Sequence, residues 1–239
     1  MILSSFPIDL NIAVIGAGGG IGAALVGMLA DSAQVARVAA FSRDGSTPAH
    51  PKVTPGQLDL LDPASIAAAG QTVEHLDLVI VATGMLRDPE RDIRQLDAAR
   101  LALNFAVNAT GPALVAQAFL PRLRTDRRTT FAALSARVGS IGDNRLGGWY
   151  AYRASKAALN QLIRTLAIEN ARKNRLGVCV ALHPGTVDTP LSKPFQGRVP
   201  ADKLFTPAVS AAHLLRVIDT LTPADSGGVF AWDGARIAY

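Results

Sequence analysis

One cysteine in 239 residues rules out an internal disulfide framework and suits a reducing, cytoplasmic setting. That residue, Cys179, sits in the apolar run from Gly177 to Leu182, where a buried thiol is expected rather than a nucleophile. Aromatic residues make up only 5% of the chain. None alternate with basic residues, so no base-stacking surface is offered and no nucleic-acid partner is expected. No apolar run reaches the roughly 18 residues of a spanning helix, and no membrane partner is expected. The first nine residues carry neither a basic start nor a long apolar core, so no signal peptide is expected. Repeats, low-complexity tracts and linkers are absent, and no metal site is expected.

What is abundant is aliphatic. Apolar residues reach 49%, dominated by Ala, Val, Leu and Ile, as suits helices packed on a parallel sheet. The net charge is +5. The arginines at 122, 124, 127 and 128 and the Arg172/Lys173/Arg175 group follow amphipathic segments and are expected to serve helix C-termini. Hydrophobic periodicity predicts strands at residues 11–16, 35–42, 56–59, 76–82, 129–134, 177–182 and 228–232. Helices are predicted at 20–30, 63–70, 93–110, 112–124, 149–173 and 207–221, with a Pro/Gly-rich loop over 184–206. Strands alternating with helices imply βαβ units. The expected fold is α/β, a Rossmann-like doubly wound three-layer sandwich with a mainly parallel seven-stranded sheet. It forms a single domain over 1–239, with a substrate loop at about 188–206.

The turn from the first strand to the first helix reads Gly16-Ala17-Gly18-Gly19-Gly20-Ile21-Gly22. Glycines there let backbone N–H groups approach a pyrophosphate at a helix N-terminus. The second strand ends in Ser42 and Arg43, with Asp44 one residue further on. An arginine at that place can clamp a 2′-phosphate, which favours NADP(H), with NAD(H) possible if Asp44 takes the ribose position. Asp59 can contact the adenine amino group or cap the helix after Leu61. Tyr152 and Lys156, four apart, share one helix face. A cation one turn away lowers a phenol's pKa and makes the pair a plausible general acid/base.

Together these residues resemble the short-chain dehydrogenase/reductase family over nearly the whole chain. Gly16, Gly20 and Gly22 match its TGxxxGxG turn, Asp59 its adenine-contacting acid, and Asn108 its helix asparagine. Tyr152 and Lys156 match its YxxxK pair. The stretch from His183 to Thr189 matches its PG loop. The segments 135–144 and 150–153 are similar to the C-factor-like group, which includes sniffer-type carbonyl reductases. The resemblance implies a cofactor held by Gly16, Gly18, Gly20, Ile21, Gly22, Ser42, Arg43, Asp59, Leu60, Ala82, Thr83, Gly84, Tyr152, Lys156, Pro184, Gly185, Val187 and Thr189. It implies hydride transfer between NADP(H) and a small carbonyl or alcohol. In that scheme Tyr152 is general acid/base, Lys156 lowers the tyrosine pKa and holds the ribose, and Asn108 supports a proton-relay water. A homodimer or homotetramer, paired through the 149–173 helix, is also implied.

Three departures stand out. Ile15 replaces the family's usual threonine, and its NNAG stretch reads Val81-Ala82-Thr83-Gly84. Thr83 is the candidate to supply a hydroxyl that steadies the glycine turn. The slot of the catalytic serine holds Ala136. Ser135 is the favoured substitute, with Ser140 the other candidate. Adjacent strand residues face opposite sides, so Ser135 needs a bulge or register change to reach the site. Apolar pocket walls are expected from Met85, Leu86, the 142–149 loop, Leu191, Phe195, Val199, Leu204 and Phe205. The competing reading is a cofactor-binding sensor or signalling protein of weak or no activity.

Overall fold

The computed structural model describes residues 2–239. The sheet is built from β1 (Leu10–Ile15), β2 (Val35–Ser42), β3 (Val53–Gln57), β4 (Leu78–Val81), β5 (Thr129–Leu134) and β6 (Gly177–His183). β7 (Thr186–Val187) and β8 (Leu204–Phe205) form a small pair of their own, and β9 (Val229–Ala231) completes the main sheet. The order is β3-β2-β1-β4-β5-β6-β9, and every pairing is parallel. The seven-stranded parallel sheet is the one expected. The helices are α1 (Gly20–Ala30), α2 (Pro63–Gln71), α3 (Ala98–Phe105), α4 (Gly111–Phe119), α5 (Tyr150–Lys173) and α6 (Pro207–Thr220).

Period-two alternation splits the strands between two cores. Ile12, Val14, Leu78, Ile80, Val178 and Val180 face α1 and α6. Ala13, Ile15, Val79, Val81, Phe131 and Cys179 face α2, α4 and α5. Burial pushes the Cys179 thiol up to about 12, so it stays an inert core group. Strand order reverses between β1 and β4. Their carboxyl ends open the crevice that doubly wound sheets use for ligands.

Several boundaries differ from expectation. The third strand starts at Val53 and includes Pro55. Proline lacks a ladder donor, but β3 is an edge strand and tolerates one. The predicted break at Gly111-Pro112 does not occur. α3 runs through a π-helical turn, Ala106–Thr110, directly into α4. Proline early in α4 costs little because the wide turn before it already disrupts the regular hydrogen-bond ladder. Gly111 is required by packing, since a Cβ there would lie 2.9 Å from Leu60 Cβ. Arg122 lies in the last turn of the 3-10 helix Leu120–Arg122, but the rest of the first basic cluster is not a helix-dipole device. Arg124 and Arg127 each stand 3.7 Å from the fully buried Asp77, and the Arg128 guanidinium covers the Phe6 ring at 3.9 Å. The second cluster does end α5 with Arg172 and Lys173, where cations meet the negative end of the helix dipole. No helix among the described residues is long and apolar enough to cross a membrane.

Candidate active site

The glycine turn closes tightly. Gly16 N and Ala17 N both donate to Phe41 O, and Gly19 N donates to Gly16 O. Gly16 has φ +91°. A Cβ on Gly22 would sit 2.0 Å from Gly16 O, so only glycine permits the approach. α1 begins immediately after, capped by Gly19 with no side chain competing for its first N–H groups. The result is a bare, dipole-positive helix start, as a diphosphate requires. From the far side of the crevice, Thr189 brings its Cγ2 to 2.9 Å from where a Cβ on Gly20 would be. Its hydroxyl donates to Val187 O at 3.4 Å. Gly185 of the PG loop has φ +78°, and Pro184 O accepts from Ser210 Oγ at 2.9 Å. These cradles fit a dinucleotide.

At the end of β2 the two candidate charges differ in freedom. Asp44 Oδ1 accepts from Ser42 Oγ, Ser46 Oγ and Ser46 N, bonds that hold its carboxyl down at about 2. Arg43 is exposed and forms no ion pair among the described residues. Asp59 does not cap α2, because Asp62 does, accepting from Ala64 N. Asp59 Oδ1 accepts from Leu61 N at 2.9 Å, and Leu60 packs beside it against Gly111.

Thr83 does not steady the glycine turn by hydrogen bonding. Its methyl faces Gly16, 2.8 Å from that residue's would-be Cβ, while Oγ1 is buried without a partner. The turn rests instead on the Phe41 carbonyl and on Ala82 N donating to Ile15 O. Ile15 is core, 1% exposed.

Tyr152, Lys156 and Asn108 meet where β4 and β5 end. Lys156 Nζ lies 5.9 Å from the Tyr152 ring centroid and donates to Leu134 O at 2.8 Å. A Cβ on Gly84 would lie 3.7 Å from Lys156 Nζ and 3.9 Å from Asn108 Oδ1, so both polar groups look onto one point. Asn108 is fully buried in the π-turn. Its Oδ1 accepts from Met85 N, and its Nδ2 donates to Met85 O and Ser155 Oγ. With the chain's own groups, burial outweighs the expected mutual attraction. It pushes the Tyr152 phenol up to about 12 and the Lys156 amine down to about 7. Tyr152 therefore carries its proton at neutral pH.

Neither serine offers a free O–H to the cavity. Ser135 Oγ donates to Asn160 Oδ1 of α5 at 2.7 Å, which uses its single O–H. It lines the cavity without the bulge expected to bring it there, since β5 pairs with β6 in unbroken register from Thr129 to Leu134. Ser140 Oγ accepts from Asp143 N at 3.1 Å and is not among the groups lining the cavity. Ala136, which does line it, presents a methyl.

The cavity, about 490 Å³, spans the carboxyl ends of β4, β5 and β6 and includes Tyr152, Lys156 and His183. Leu86, Leu146, Trp149, Leu191, Phe195 and Val199 form its apolar wall. Met85, Leu204 and Phe205, expected there, lie elsewhere: Phe205 packs edge-on against Trp232 and His213. Trp149 links wall and chemistry, its ring 5.0 Å from Phe195 and 6.2 Å from Tyr152. It adopts the left-handed conformation at φ +54°, unusual for a bulky residue. Glu90 holds it there. The Glu90 carbonyl accepts from Trp149 N, and its Oε2 accepts from Ala151 N. Glu90 thus caps the helix that carries Tyr152. No local signal marks it, because the contact spans 61 residues.

The sequence model of the short chain dehydrogenase family matches residues 10–198. The chain is 32% identical to the 1-hydroxy-2-glutathionyl-2-methyl-3-butene dehydrogenase of Rhodococcus sp. (strain AD45), over 75% of this chain and 86% of that one. It is 38% identical to the C-signal protein of Myxococcus xanthus, over 60% of this chain and 81% of that one. Among solved structures it superposes on an NADPH-bound carbonyl reductase from chicken fatty liver with a TM-score of 0.86. The two are 29% identical, with 98% and 96% of the chains covered. A glycine-rich turn at the strand-order reversal, with a Tyr–Lys–Asn cluster at the ends of β4 and β5, is thus joined to a family match over most of the sequence, and the chain belongs to the short-chain dehydrogenase/reductase family of NAD(P)-dependent oxidoreductases.

Proposed function

We propose that the protein is an NADP(H)-dependent oxidoreductase that interconverts a carbonyl and an alcohol, with Tyr152 as the general acid/base. The observation that carries this reading is that Tyr152 and Lys156 line an apolar cavity that reaches Ile21 at the start of α1, with Asn108 beside Lys156 behind Gly84. The structural relative bound to NADPH is itself a carbonyl reductase, which supports the same reading. When bound, the cofactor supplies or accepts the hydride. The chain's residues do the rest. The glycine turn and the start of α1 take the diphosphate. Pro184, Gly185, Val187 and Thr189 border the nicotinamide end, and Lys156 reaches the ribose hydroxyls. The apolar wall, with 188–206 as its lid, orients the substrate and excludes water. Tyr152 gives its proton to the oxygen that gains charge. A phenol held protonated by burial is in the form that acts as the acid in reduction near neutral pH. We further propose a homo-oligomer paired through α5, whose Ile168 is 48% exposed.

Cofactor choice follows from Arg43 and Asp44. A free guanidinium welcomes a 2′-phosphate, while a carboxylate already bonded to two serines is less available to ribose hydroxyls. Thermal melting with saturating NADPH should shift Tm more than with NADH, because a ligand of the native state stabilises by mass action. Arg43→Ala should weaken NADPH binding by about tenfold, one charge-assisted contact, and leave NADH binding within twofold. An unchanged NADPH affinity would remove Arg43 from the phosphate site. Melting shifts without turnover on any carbonyl would move the cofactor-sensing alternative ahead.

A further inference from the structure

A carbonyl that accepts hydride builds negative charge on its oxygen, and reduction is fastest where a second donor joins the general acid there. This chain lacks the obvious one. Ala136 puts a methyl on the cavity, Ser135 has spent its proton on Asn160, and Ser140 is turned to Asp143. Thr83 lies against Gly16, toward the glycine turn. Arg137 is paired with Asp143 at 3.0 Å. Among the other polar side chains lining the cavity, Arg145, Thr186 and His183 form no hydrogen bond or ion pair among the described residues. Arg145 is exposed on the 142–149 loop and Thr186 lies on β7, outside the main sheet, which leaves His183 at the strand end beside β5.

His183 ends β6, beside β5: Leu134 and Leu182 are register partners, and Ser135 N donates to Leu182 O. Its ring lines the same cavity as Ala136 and Tyr152. Nδ1 is buried with no hydrogen-bond partner, while Nε2 forms no hydrogen bond within the chain and is not among the buried, unpartnered atoms. Burial, aided by Arg137, pushes the imidazole down to about 4, so at neutral pH it carries one N–H. On Nδ1 that proton would find no acceptor. On Nε2 it can always meet water or substrate, and that tautomer is the favoured one.

We propose that His183, through its Nε2–H, donates the hydrogen bond that polarises the substrate oxygen, replacing the strand-end serine whose place Ala136 occupies. The proposal rests on the carbonyl-reductase reading and deepens it. No proton is transferred by His183; Tyr152 remains the acid. The alanine and the histidine are then one compensated arrangement, and the compensation can be tested directly.

Steady-state reduction of 4-nitrobenzaldehyde, phenanthrenequinone and menadione with NADPH would be measured for the wild type, His183→Leu, His183→Asn, Ala136→Ser and the double variant Ala136→Ser/His183→Leu. His183→Leu is expected to lower kcat by about 30-fold or more, the scale of losing one such donor. KM and the NADPH-induced melting shift should stay within about threefold and a few degrees of wild type. His183→Asn, which keeps a side-chain N–H, should recover part of the loss. Ala136→Ser should raise kcat at least five times more in the His183→Leu background than in the wild type, because a serine hydroxyl then supplies the missing donor. A merely structural histidine would show no such background dependence. Equal gains in both backgrounds, or wild-type kcat in His183→Leu, would overturn the proposal while leaving the reductase reading intact. If leucine prevents folding, the same comparison is read in His183→Met, which also lacks a donor. A wild type inactive on all three carbonyls would overturn the reductase reading, and this proposal with it.

Discussion

Tyr152→Phe is expected to lower kcat for carbonyl reduction by two to four orders of magnitude, the range of positioned general-acid catalysis. The substitution removes one oxygen and no volume. Tyr152 is 8% exposed on α5, its ring flanked by Trp149 and Lys156, and phenylalanine fits the same space. Folding should therefore be unaffected or slightly improved, and the melting shift with NADPH should persist. Loss of kcat with KM nearly unchanged would mark an interaction made in the transition state alone. The direction of the phenol's shift adds a second readout. Because burial holds the proton on up to about 12, reduction by the wild type should show no loss of the acid form anywhere below pH 10. Alcohol oxidation needs the phenolate and should climb with pH. Turnover by the phenylalanine variant within tenfold of wild type would remove Tyr152 as the acid.

Much of this architecture was legible because local signals agreed with one another. The 20–30 helix and the 35–42 and 129–134 strands were legible from their apolar runs, most of whose residues are buried in the structure. The glycine turn was legible because the strand before it and the helix after it gave it context. Other features lay beyond any local pattern. Gly111-Pro112 reads as a helix break, yet a π-turn absorbs it and keeps Asn108 facing Met85. Asp77 gives no hint that it lies buried between β4 and two arginines. The direction of Ser135's hydroxyl depends on Asn160, 25 residues away. The tyrosine–lysine pair shows the limit most clearly. Spacing alone suggests that the ammonium lowers the phenol. Depth of burial, which spacing does not encode, moves both groups toward their neutral forms.

That burial makes Lys156 a stability liability as well as a functional group. Its side chain is 2% exposed and satisfied by one carbonyl, Leu134 O. Its pKa falls from 10.5 to about 7 on folding. Below pH 7 both the folded and unfolded chains carry the proton, and the folded state bears the full desolvation cost, on the order of 5 kcal/mol at 1.36 kcal/mol per unit. Between pH 7 and 10.5 the unfolded chain binds one proton more than the folded chain, so stability rises with pH through that window. Lys156→Met removes the charge and keeps an unbranched, adaptable side chain. It leaves Leu134 O without its donor, a cost of roughly 1–3 kcal/mol. Measured without added cofactor at pH 6, the methionine variant should be more stable by about 2 kcal/mol, or roughly 4–8 °C in Tm for a domain of this size. The advantage should shrink as pH rises and vanish or reverse above pH 9, where the wild-type lysine is neutral and still bonded to Leu134 O. Turnover should fall at least about 100-fold at every pH, since the group proposed to reach the ribose is gone. A variant that melts below wild type at pH 6 would mean that the Lys156 charge is compensated in the folded protein. A pH-independent Tm difference would mean that its proton is not lost on folding.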